Sequence, residues 1–290
     1  MISKYFSSGY SDRPMEKKDI IRELVYLQAD EMLPMKQAVV QKPIGVLDFK
    51  YDIPKITRIA SQKIEEGTRS DRKRMEFWQK AVSLDKYQTT VTITDEAKVR
   101  QLGNTQTSMT IDAVARGMAY DIDTEIMNAL IAATPTATAA TASAKWNLSS
   151  ASPGYDIASV LSKIFDNTNI MEQDLSNVQV YVPASVWPFL KFPKDVGLLY
   201  TSVKDFIEKQ QAVTMYLSRK LTNGALVVLP GQQTAHHLTY NGTEVPTAEN
   251  QREIGVGEEY VITRYYKTVV IPDTVYGTTT SRLGWISVVA

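Results

Sequence analysis

Histidines and carboxylates are the first candidates for chemistry in this chain, whose 290 residues include no cysteine. Without cysteine there can be no disulfide, thiolate metal site or cysteine nucleophile. The only two histidines, His236 and His237, are adjacent. Adjacent side chains of a strand point to opposite faces, which is poor geometry for a shared metal site. The pattern therefore favours a structural or surface role for both histidines.

Four carboxylates in one helical segment could form an acidic site: Asp112, Asp121, Asp123 and Glu125. Residues two positions apart lie about 200° apart around a helix, so Asp121 and Asp123 do not face one ligand. The sequence favours solvated or intersubunit pairs for these side chains.

The glycine signatures of nucleotide-binding and hydrolytic sites are missing from the sequence. It contains no G-x-S-x-G, Walker or G-x-G-x-x-G motif. The fragment Gly255-Val256-Gly257 is followed by Glu258 and Glu259, whose charge is wrong for cradling a phosphate. We therefore expect no cofactor, no metal and no catalytic residue. A soluble enzyme that uses Asp, Glu, Lys or Tyr without a recognisable motif is the alternative.

A cluster of basic residues lies in one polar segment of the chain: Arg69, Arg72, Lys73 and Arg74. The flanking segments Ile56–Ile64 and Phe77–Ile93 have strand character, which predicts an extended hairpin with a charged tip. Since 32 basic and 32 acidic residues balance over the chain, any contact with nucleic acid must be local. The tip is either a solvated loop end or a contact to a neighbouring subunit or to nucleic acid. Phe77 and Trp78 are apolar groups of this hairpin that need partners.

The elements that must position these groups follow from hydrophobic periodicity, which is clearest between Thr107 and Ala133. Apolar residues recur there at helical spacing and predict the core face of one long helix: Ile111, Val114, Met118, Ile122, Ile126 and Leu130. At about 1.5 Å per residue this helix spans roughly 40 Å. We therefore expect it to serve as a spine.

The sequence pattern of the remaining chain predicts a mixture of helices and strands around this spine. Met1–Pro14 has the character of an arm, and Ala133–Ala144 that of a small-residue linker. Further helices are expected at Glu16–Leu33, Tyr155–Phe165, Ala184–Phe192 and Val203–Gln211, with a short one beginning at Asp95. Strands are expected at Val39–Phe49, Val178–Val182, Ala225–Leu229, Glu258–Ile271 and Arg282–Val289. The apolar runs are shorter than a membrane span and the N-terminus lacks a signal-peptide core, which predicts a soluble intracellular protein without a membrane partner.

Three segments carry a resemblance to a known family: FWQKAVSLDKYQTTVTITDEA (Phe77–Ala97), VARGMAYDIDTEIMNAL (Val114–Leu130) and VQVYVPASVWPFL (Val178–Leu190). Together with the order of elements, they resemble the major capsid proteins of tailed bacteriophages, whose Hong Kong 97-like fold is shared with encapsulin shells. The first segment is similar to the returning strand of the family's extended loop, the second to its spine helix and the third to its axial domain.

This resemblance implies an α+β fold in five parts. They are an N-terminal arm and helix (1–52), an extended β-hairpin loop (53–86), a peripheral domain with the long spine helix (87–150), an α/β axial domain (151–230) and a C-terminal β segment that returns to the peripheral domain (231–290). The extended loop would contact a neighbouring subunit through six residues: Arg69, Arg72, Lys73, Arg74, Phe77 and Trp78.

The resemblance also implies a function and a set of partners. The chain would be a non-enzymatic structural protein that self-assembles into the pentamers and hexamers of an icosahedral shell, in a virion assembled in the host cytoplasm. Its partners would be further copies of itself, a portal, and packaged double-stranded DNA held by weak non-specific contacts. Because the spine arrives too early for a fused scaffolding region, a separate scaffolding protein or none is implied. An encapsulin-type compartment around cargo protein is the alternative.

Overall fold

A computed structural model describes residues 17–54, 77–94, 103–148, 150–166, 170, 172–191, 202–242, 248–253, 257–272, 280 and 282–288. By their contacts the described residues belong to two compact units. The first unit is drawn from Met1–Met32, Lys86–Tyr120 and Thr243–Arg264, and the second from Leu33–Asp85, Asp121–Gly242 and Tyr265–Ala290.

The described residues form both helices and strands, with runs of strands before the longest helix and after the last one. The α-helices are α1 (Lys17–Glu31), α2 (Gly103–Ala132), α3 (Pro153–Phe165), α4 (Trp187–Lys191) and α5 (Val203–Gln211), and there are 3-10 turns at Pro34–Gln37, Thr136–Thr138 and Glu172–Asn177. The strands are β1 (Val40–Ile44), β2 (Asp48–Pro54), β3 (Phe77–Ser83), β4 (Asp85–Thr94), β5 (Ala139–Thr141), β6 (Val178–Pro183), β7 (Val213–Ser218), β8 (Gly224–Val228), β9 (Ala235–Tyr240), β10 (Ala248–Glu253), β11 (Gly257–Val270) and β12 (Leu283–Ser287). None of the described helices is long and apolar enough to cross a membrane.

In the first unit, α1 is fixed to β11 by polar contacts. The Tyr26 hydroxyl donates to the Thr263 carbonyl oxygen at 2.5 Å, and an Arg264 guanidinium nitrogen lies 2.9 Å from an Asp30 carboxylate oxygen. The same guanidinium lies 5.0 Å from the centre of the Tyr26 ring, within the range of a cation–π contact. Strand β10 pairs antiparallel with the first half of β11.

The second unit contains a five-stranded sheet in the order β5-β12-β8-β6-β7. Strands β6 and β8 are buried along their whole length, as their apolar sequences VQVYVP and GALVV require. Helix α3 contributes Ile157, Val160 and Ile164 to the core on this sheet. Gly284 of β12 permits the close approach of α3, because a Cβ atom there would lie 2.3 Å from Val160 Cγ1.

The other strands of the second unit form a separate layer and a ribbon. Strand β1 pairs parallel with β9, and β9 pairs antiparallel with the second half of β11. Strands β2 and β3 pair antiparallel with each other, from Asp48 opposite Ser83 to Pro54 opposite Phe77. Strand β3 begins at Phe77, which is also the first residue of the second strand predicted for the hairpin.

The mixed α+β architecture expected from the sequence is confirmed, with shifted boundaries. The long helix begins at Gly103, four residues before the predicted start at Thr107, and α5 has the predicted bounds. Strand β2 lies at Asp48–Pro54, whereas the strand predicted at 56–64 lies outside the described residues. The arm predicted at 1–14 and the short helix predicted from Asp95 also lie outside them.

The described strands of the segment 231–290 belong to two sheets. Strands β9 and β11 pair with each other, but β12 lies between β5 and β8 in the five-stranded sheet. Leu283 and Ile286 are fully buried there. A position inside a sheet covered by a helix requires such an apolar strand, and the partner of that strand is set by long-range packing.

Candidate functional site

The β2–β3 ribbon has two different faces. Its register places three pairs on one face: Phe49 with Val82, Tyr51 with Lys80, and Ile53 with Trp78. On this face Ile53 and Val82 are buried and Trp78 is half-buried. The opposite face carries polar residues such as Lys50 and Asp52, which are exposed. The ribbon therefore packs one face against its own chain.

Tyr51 anchors this ribbon to strand β9. A hydrogen bond of 2.6 Å joins its hydroxyl to Nδ1 of His236, and the two rings meet edge to face with 5.8 Å between their centres. The Lys42 ammonium of β1 lies 5.7 Å from the centre of the Tyr51 ring. Burial, followed by the charge of Lys42, lowers the pKa of His236 to about 4. The imidazole is therefore neutral at pH 7 and bonds to Tyr51 in that form.

The far end of the described ribbon exposes an apolar side chain. Phe77 stands opposite Pro54 in the last described pair and is 57% exposed. Two strands alone are only marginally stable in water, and the described residues place no third strand beside these two. Phe77 is thus presented outward, whereas Trp78 turns to the packed face. The four basic residues expected at the tip, Arg69, Arg72, Lys73 and Arg74, lie outside the described residues.

The predicted core residues of the spine are distributed along α2. Ile111, Met118, Ile122, Ile126 and Leu130 are buried, and Val114 is half-buried. Val114 lies at the margin of the buried stripe because Ala115, which is fully buried, occupies its centre at this turn. Met109 and Tyr120, by contrast, are 68% and 56% exposed.

The four spine carboxylates do not converge on one point. Asp112 pairs with Arg116 at 2.9 Å along the helix, and Asp121 is exposed. Asp123 accepts a hydrogen bond of 3.3 Å from the backbone N–H of Met35. Glu125 accepts hydrogen bonds from Thr268, from its backbone N–H at 2.8 Å and from its hydroxyl. Asp112, Asp123 and Glu125 therefore each contact a different neighbour.

Burial alters the protonation of two of these carboxylates. It raises the pKa of Asp123 to about 6, although the Met35 N–H and the charge of Lys220 act in the opposite direction. Burial also raises the pKa of Glu125, against the two hydrogen bonds that Thr268 donates to its charged form. Burial thus disfavours the charged form of both carboxyl groups in the folded state.

Glu125, Thr268 and His237 form a buried network whose composition resembles a nucleophilic site. The single hydroxyl proton of Thr268 is donated to Glu125, so Nδ1 of His237 must donate to the Thr268 oxygen, 3.1 Å away. The histidine is then a donor and cannot take that proton as a base. His237 and Thr268 are only 1% and 8% exposed, so the network is part of the packed interior.

The two histidines thus face different partners, Tyr51 for His236 and Thr268 for His237. Within the described part of the chain, no three His, Asp or Glu side chains are grouped so as to hold a metal ion. Asp123, Glu125, His236 and His237 each make hydrogen bonds within the fold.

Sequence reasoning missed several residues that organise the second unit. Tyr51 fastens the ribbon, and Asp156 is buried and accepts hydrogen bonds from Ser143 N–H at 2.9 Å and Trp146 Nε1 at 2.7 Å. Ser143 lies in the small-residue linker and Trp146 just after it, and no local pattern in either place indicates a contact with Asp156. Tyr51 lies 185 positions from its partner, and only the assembled sheet brings the two together.

Comparison with known proteins identifies the fold. The sequence matches no protein family and no curated protein. The virus-like particle of Pyrococcus furiosus matches with a TM-score of 0.60 at 9% identity, over 94% of this chain and 100% of that chain. The capsid of Myoviridae phage XM1 matches with a TM-score of 0.56 at 14% identity, over 99% of this chain and 98% of that chain. The SrpI encapsulin complex of Synechococcus elongatus matches with a TM-score of 0.54 at 10% identity, over 99% and 94% of the two chains.

These matches run along nearly the full length of both chains in every pair. The chain therefore has the Hong Kong 97-like fold of phage capsid and encapsulin shell proteins, as its sequence resemblance implied.

Proposed function

We propose that this chain is a structural subunit that self-assembles into a closed protein shell. The observation that carries the proposal is the likeness over 94–99% of the chain to a virus-like particle, a phage capsid and an encapsulin complex. All three are multimeric assemblies, and the likeness extends over the complete fold.

The ribbon supports this proposal because it presents groups that a single copy does not cover. Phe77 is 57% exposed at the end of a ribbon that has only two strands in the described residues. A neighbouring copy that packs on Phe77 would bury apolar surface and extend the ribbon's support. We propose that the extended loop, with Arg69, Arg72, Lys73, Arg74 and Phe77, makes this contact, with Trp78 holding the ribbon from its packed face.

The polar interior supports a structural role over catalysis. Asp123, Glu125, His236 and His237 are each engaged in a hydrogen bond that fastens one segment of the chain to another. A catalytic group must reach a substrate, and His237 is 1% exposed.

Within the class of shell proteins we favour the major capsid protein of a tailed bacteriophage. It would form pentamers and hexamers of an icosahedral shell around double-stranded DNA, assembled in the host cytoplasm with a separate scaffolding protein and a portal. The similarity of the Phe77–Ala97 and Val114–Leu130 segments to that family favours this version. The match to the SrpI encapsulin complex favours an encapsulin-type compartment as the second candidate.

Particle size tests the proposal directly. The chain is expressed alone and with its genomic neighbours, purified, and measured by light scattering and negative-stain microscopy. We expect rings, tubes or shells built from five- and six-fold capsomers. A discrete monomer or dimer under all assembly conditions would overturn the shell proposal and favour the enzyme alternative.

The contents of the particles separate the two candidates. Particles purified from cells are treated with nuclease and then analysed for DNA by gel electrophoresis and for protein by mass spectrometry. Nuclease-resistant double-stranded DNA is expected of the phage capsid. A co-purified cargo enzyme without protected DNA would replace that version by the encapsulin-type compartment.

A further inference from the structure

The five-stranded sheet of the second unit ends at β7, whose outer side faces no other strand among the described residues. Successive residues of a strand direct their N–H and C=O groups to alternate edges. Met215 donates its N–H to a side chain outside the sheet. Val213, Met215 and Leu217 are therefore the residues whose backbone groups face away from β6, and Leu217 is also 40% exposed. An edge of this kind is a template on which another strand can add.

Glu208 of α5 occupies this edge. Its Oε1 atom accepts the hydrogen bond from the backbone N–H of Met215 at 2.8 Å. The strand and the helix are close because Ala212 adopts a left-handed conformation, with φ of 52°, and turns the chain from α5 into β7 within one residue. A carboxylate that accepts from a backbone N–H makes a charge-assisted hydrogen bond, which is stronger than a neutral one.

Lys204 holds Glu208 in this position. Its ammonium lies 2.9 Å from Oε2 of Glu208, one helical turn along α5, and 5.7 Å from the centre of the Trp187 ring. The two oxygens of the carboxylate thus have separate partners, Met215 on one side and Lys204 on the other. Both Lys204 and Glu208 are mostly buried at the side chain, with 18% and 23% exposed. This pairing is ordered by two elements and is not a mobile surface contact.

We propose that Glu208 is an edge guard, which closes the open edge of the five-stranded sheet at Met215 against strand addition by a second copy of this chain. A bound carboxylate removes a donor that an incoming strand would need, and it places a negative charge where that strand's carbonyl oxygens would lie. The guard would matter most where many copies are concentrated, as in the assembly proposed above, but its local geometry does not depend on that assembly.

Two substitutions at one position test the guard. Glu208→Gln keeps an acceptor oxygen for Met215 N–H, whereas Glu208→Ala removes it. Hydrogen exchange at the Met215 amide, measured by NMR or by mass spectrometry of a short peptide, reports the cap directly. We expect exchange in Glu208→Ala to be about tenfold faster or more, because a hydrogen bond to a charged group is lost, and a smaller increase in Glu208→Gln.

Self-association is the second readout, measured by light scattering and by thioflavin fluorescence. The three proteins are compared only if their circular dichroism spectra show the same secondary structure. Glu208→Ala is expected to form irregular, strand-rich aggregates at concentrations at which the wild-type chain and Glu208→Gln do not. Equal exchange and equal aggregation in the three proteins would overturn the guard, as would aggregation of Glu208→Gln to the level of Glu208→Ala. If the wild-type chain proves to be a monomer, the shell proposal fails while the exchange measurement still decides the role of Glu208.

Discussion

Some ionisable side chains of this protein lie where burial disfavours their charged form. Asp123 is the clearest case, since burial raises its pKa to about 6 even though it accepts the Met35 N–H. The ionisable groups that interact with it are Lys220, whose charge favours the ionised form, and the Tyr181 hydroxyl, which stays neutral because burial raises its own pKa. The folded chain therefore binds a proton at Asp123 more tightly than the unfolded chain does, because the pKa of this carboxyl in the unfolded chain is 3.8.

The first prediction is a pH dependence of stability that this carboxyl controls. Between about pH 4 and 6 the folded state retains the proton of Asp123 while the unfolded state has released it, so this group makes stability fall as pH rises through the window. Asp123→Asn keeps an acceptor for Met35 but cannot ionise. We expect the variant to gain stability over the wild type across pH 4–6 and to keep that gain at pH 7, measured by urea unfolding.

The control is Asp121→Asn, which changes an exposed carboxyl of the same helix. Its stability difference from the wild type is expected to stay small and flat with pH. A difference for Asp123→Asn that stays constant over the window would mean that the carboxyl titrates in the folded protein as it does in the unfolded chain.

The second prediction concerns Gly284, where α3 meets the five-stranded sheet. A methyl group at this position would lie 2.3 Å from Val160 Cγ1 and 3.3 Å from Ile164 Cδ1, both in the core. Gly284→Ala therefore forces α3 away from β12, and we expect a loss of about 1–3 kcal/mol of stability. Thermal unfolding measures this loss of stability. Gly45→Ala is the control, because no atom lies within 4 Å of a Cβ at Gly45. A melting temperature that is lowered equally in both variants would contradict the packing explanation.

Whole elements differ in how far their sequences determine them. Helix α2 was predictable because its apolar residues repeat at helical spacing over many turns. Helix α5 has the predicted bounds, and in the structure Ser202 caps its first turn. Strand β7 was missed, since the turn before it uses Ala212 in a left-handed conformation and no glycine marks the break. The sheet to which β12 belongs, and the contact of Tyr51 with His236, depend on residues far apart in the chain, which no local pattern reports.

The third prediction tests the spine as an element. Ile122 is fully buried on α2, and Ile122→Asp would place a carboxylate there without a partner. We expect a loss of at least about 3 kcal/mol, a large part of a typical folding stability, and therefore insoluble or unfolded protein. Tyr120→Asp, at a position 56% exposed on the same helix, is the matched control and should remain folded. Solubility on expression and circular dichroism distinguish the two, and a folded Ile122→Asp protein would count against this side of α2 as core.

At the scale of the whole molecule, the chain has a fold that is shared with shell proteins at 9–14% identity. Because so few residues are identical, this chain and those shell proteins have in common the order of their elements and the pattern of burial. The resemblance in the sequence was accordingly found in that order and in a few segments. The contacts between copies are not constrained by the pattern within one copy, which is why the sequence predicts a hairpin tip but does not predict its partner.

The last prediction follows from that difference between folding and assembly. Charged side chains on a protein surface contribute about 0–1 kcal/mol each to stability, but charges that meet a neighbouring copy affect association and its salt dependence. The variant in which Arg69, Arg72, Lys73 and Arg74 are replaced by Ser should therefore unfold at the wild-type temperature yet assemble poorly. Particle yield is measured by light scattering as the salt concentration is raised. The wild-type yield is expected to fall, and the low yield of the variant to change little.

A second variant that changes only the three arginines to Lys retains all four charges and should assemble, because a screened contact depends on charge more than on guanidinium geometry. If the Ser variant assembles with the yield and the salt response of the wild type, the tip is a solvated loop. If the Lys variant also fails to assemble, the contact depends on bidentate arginine pairs.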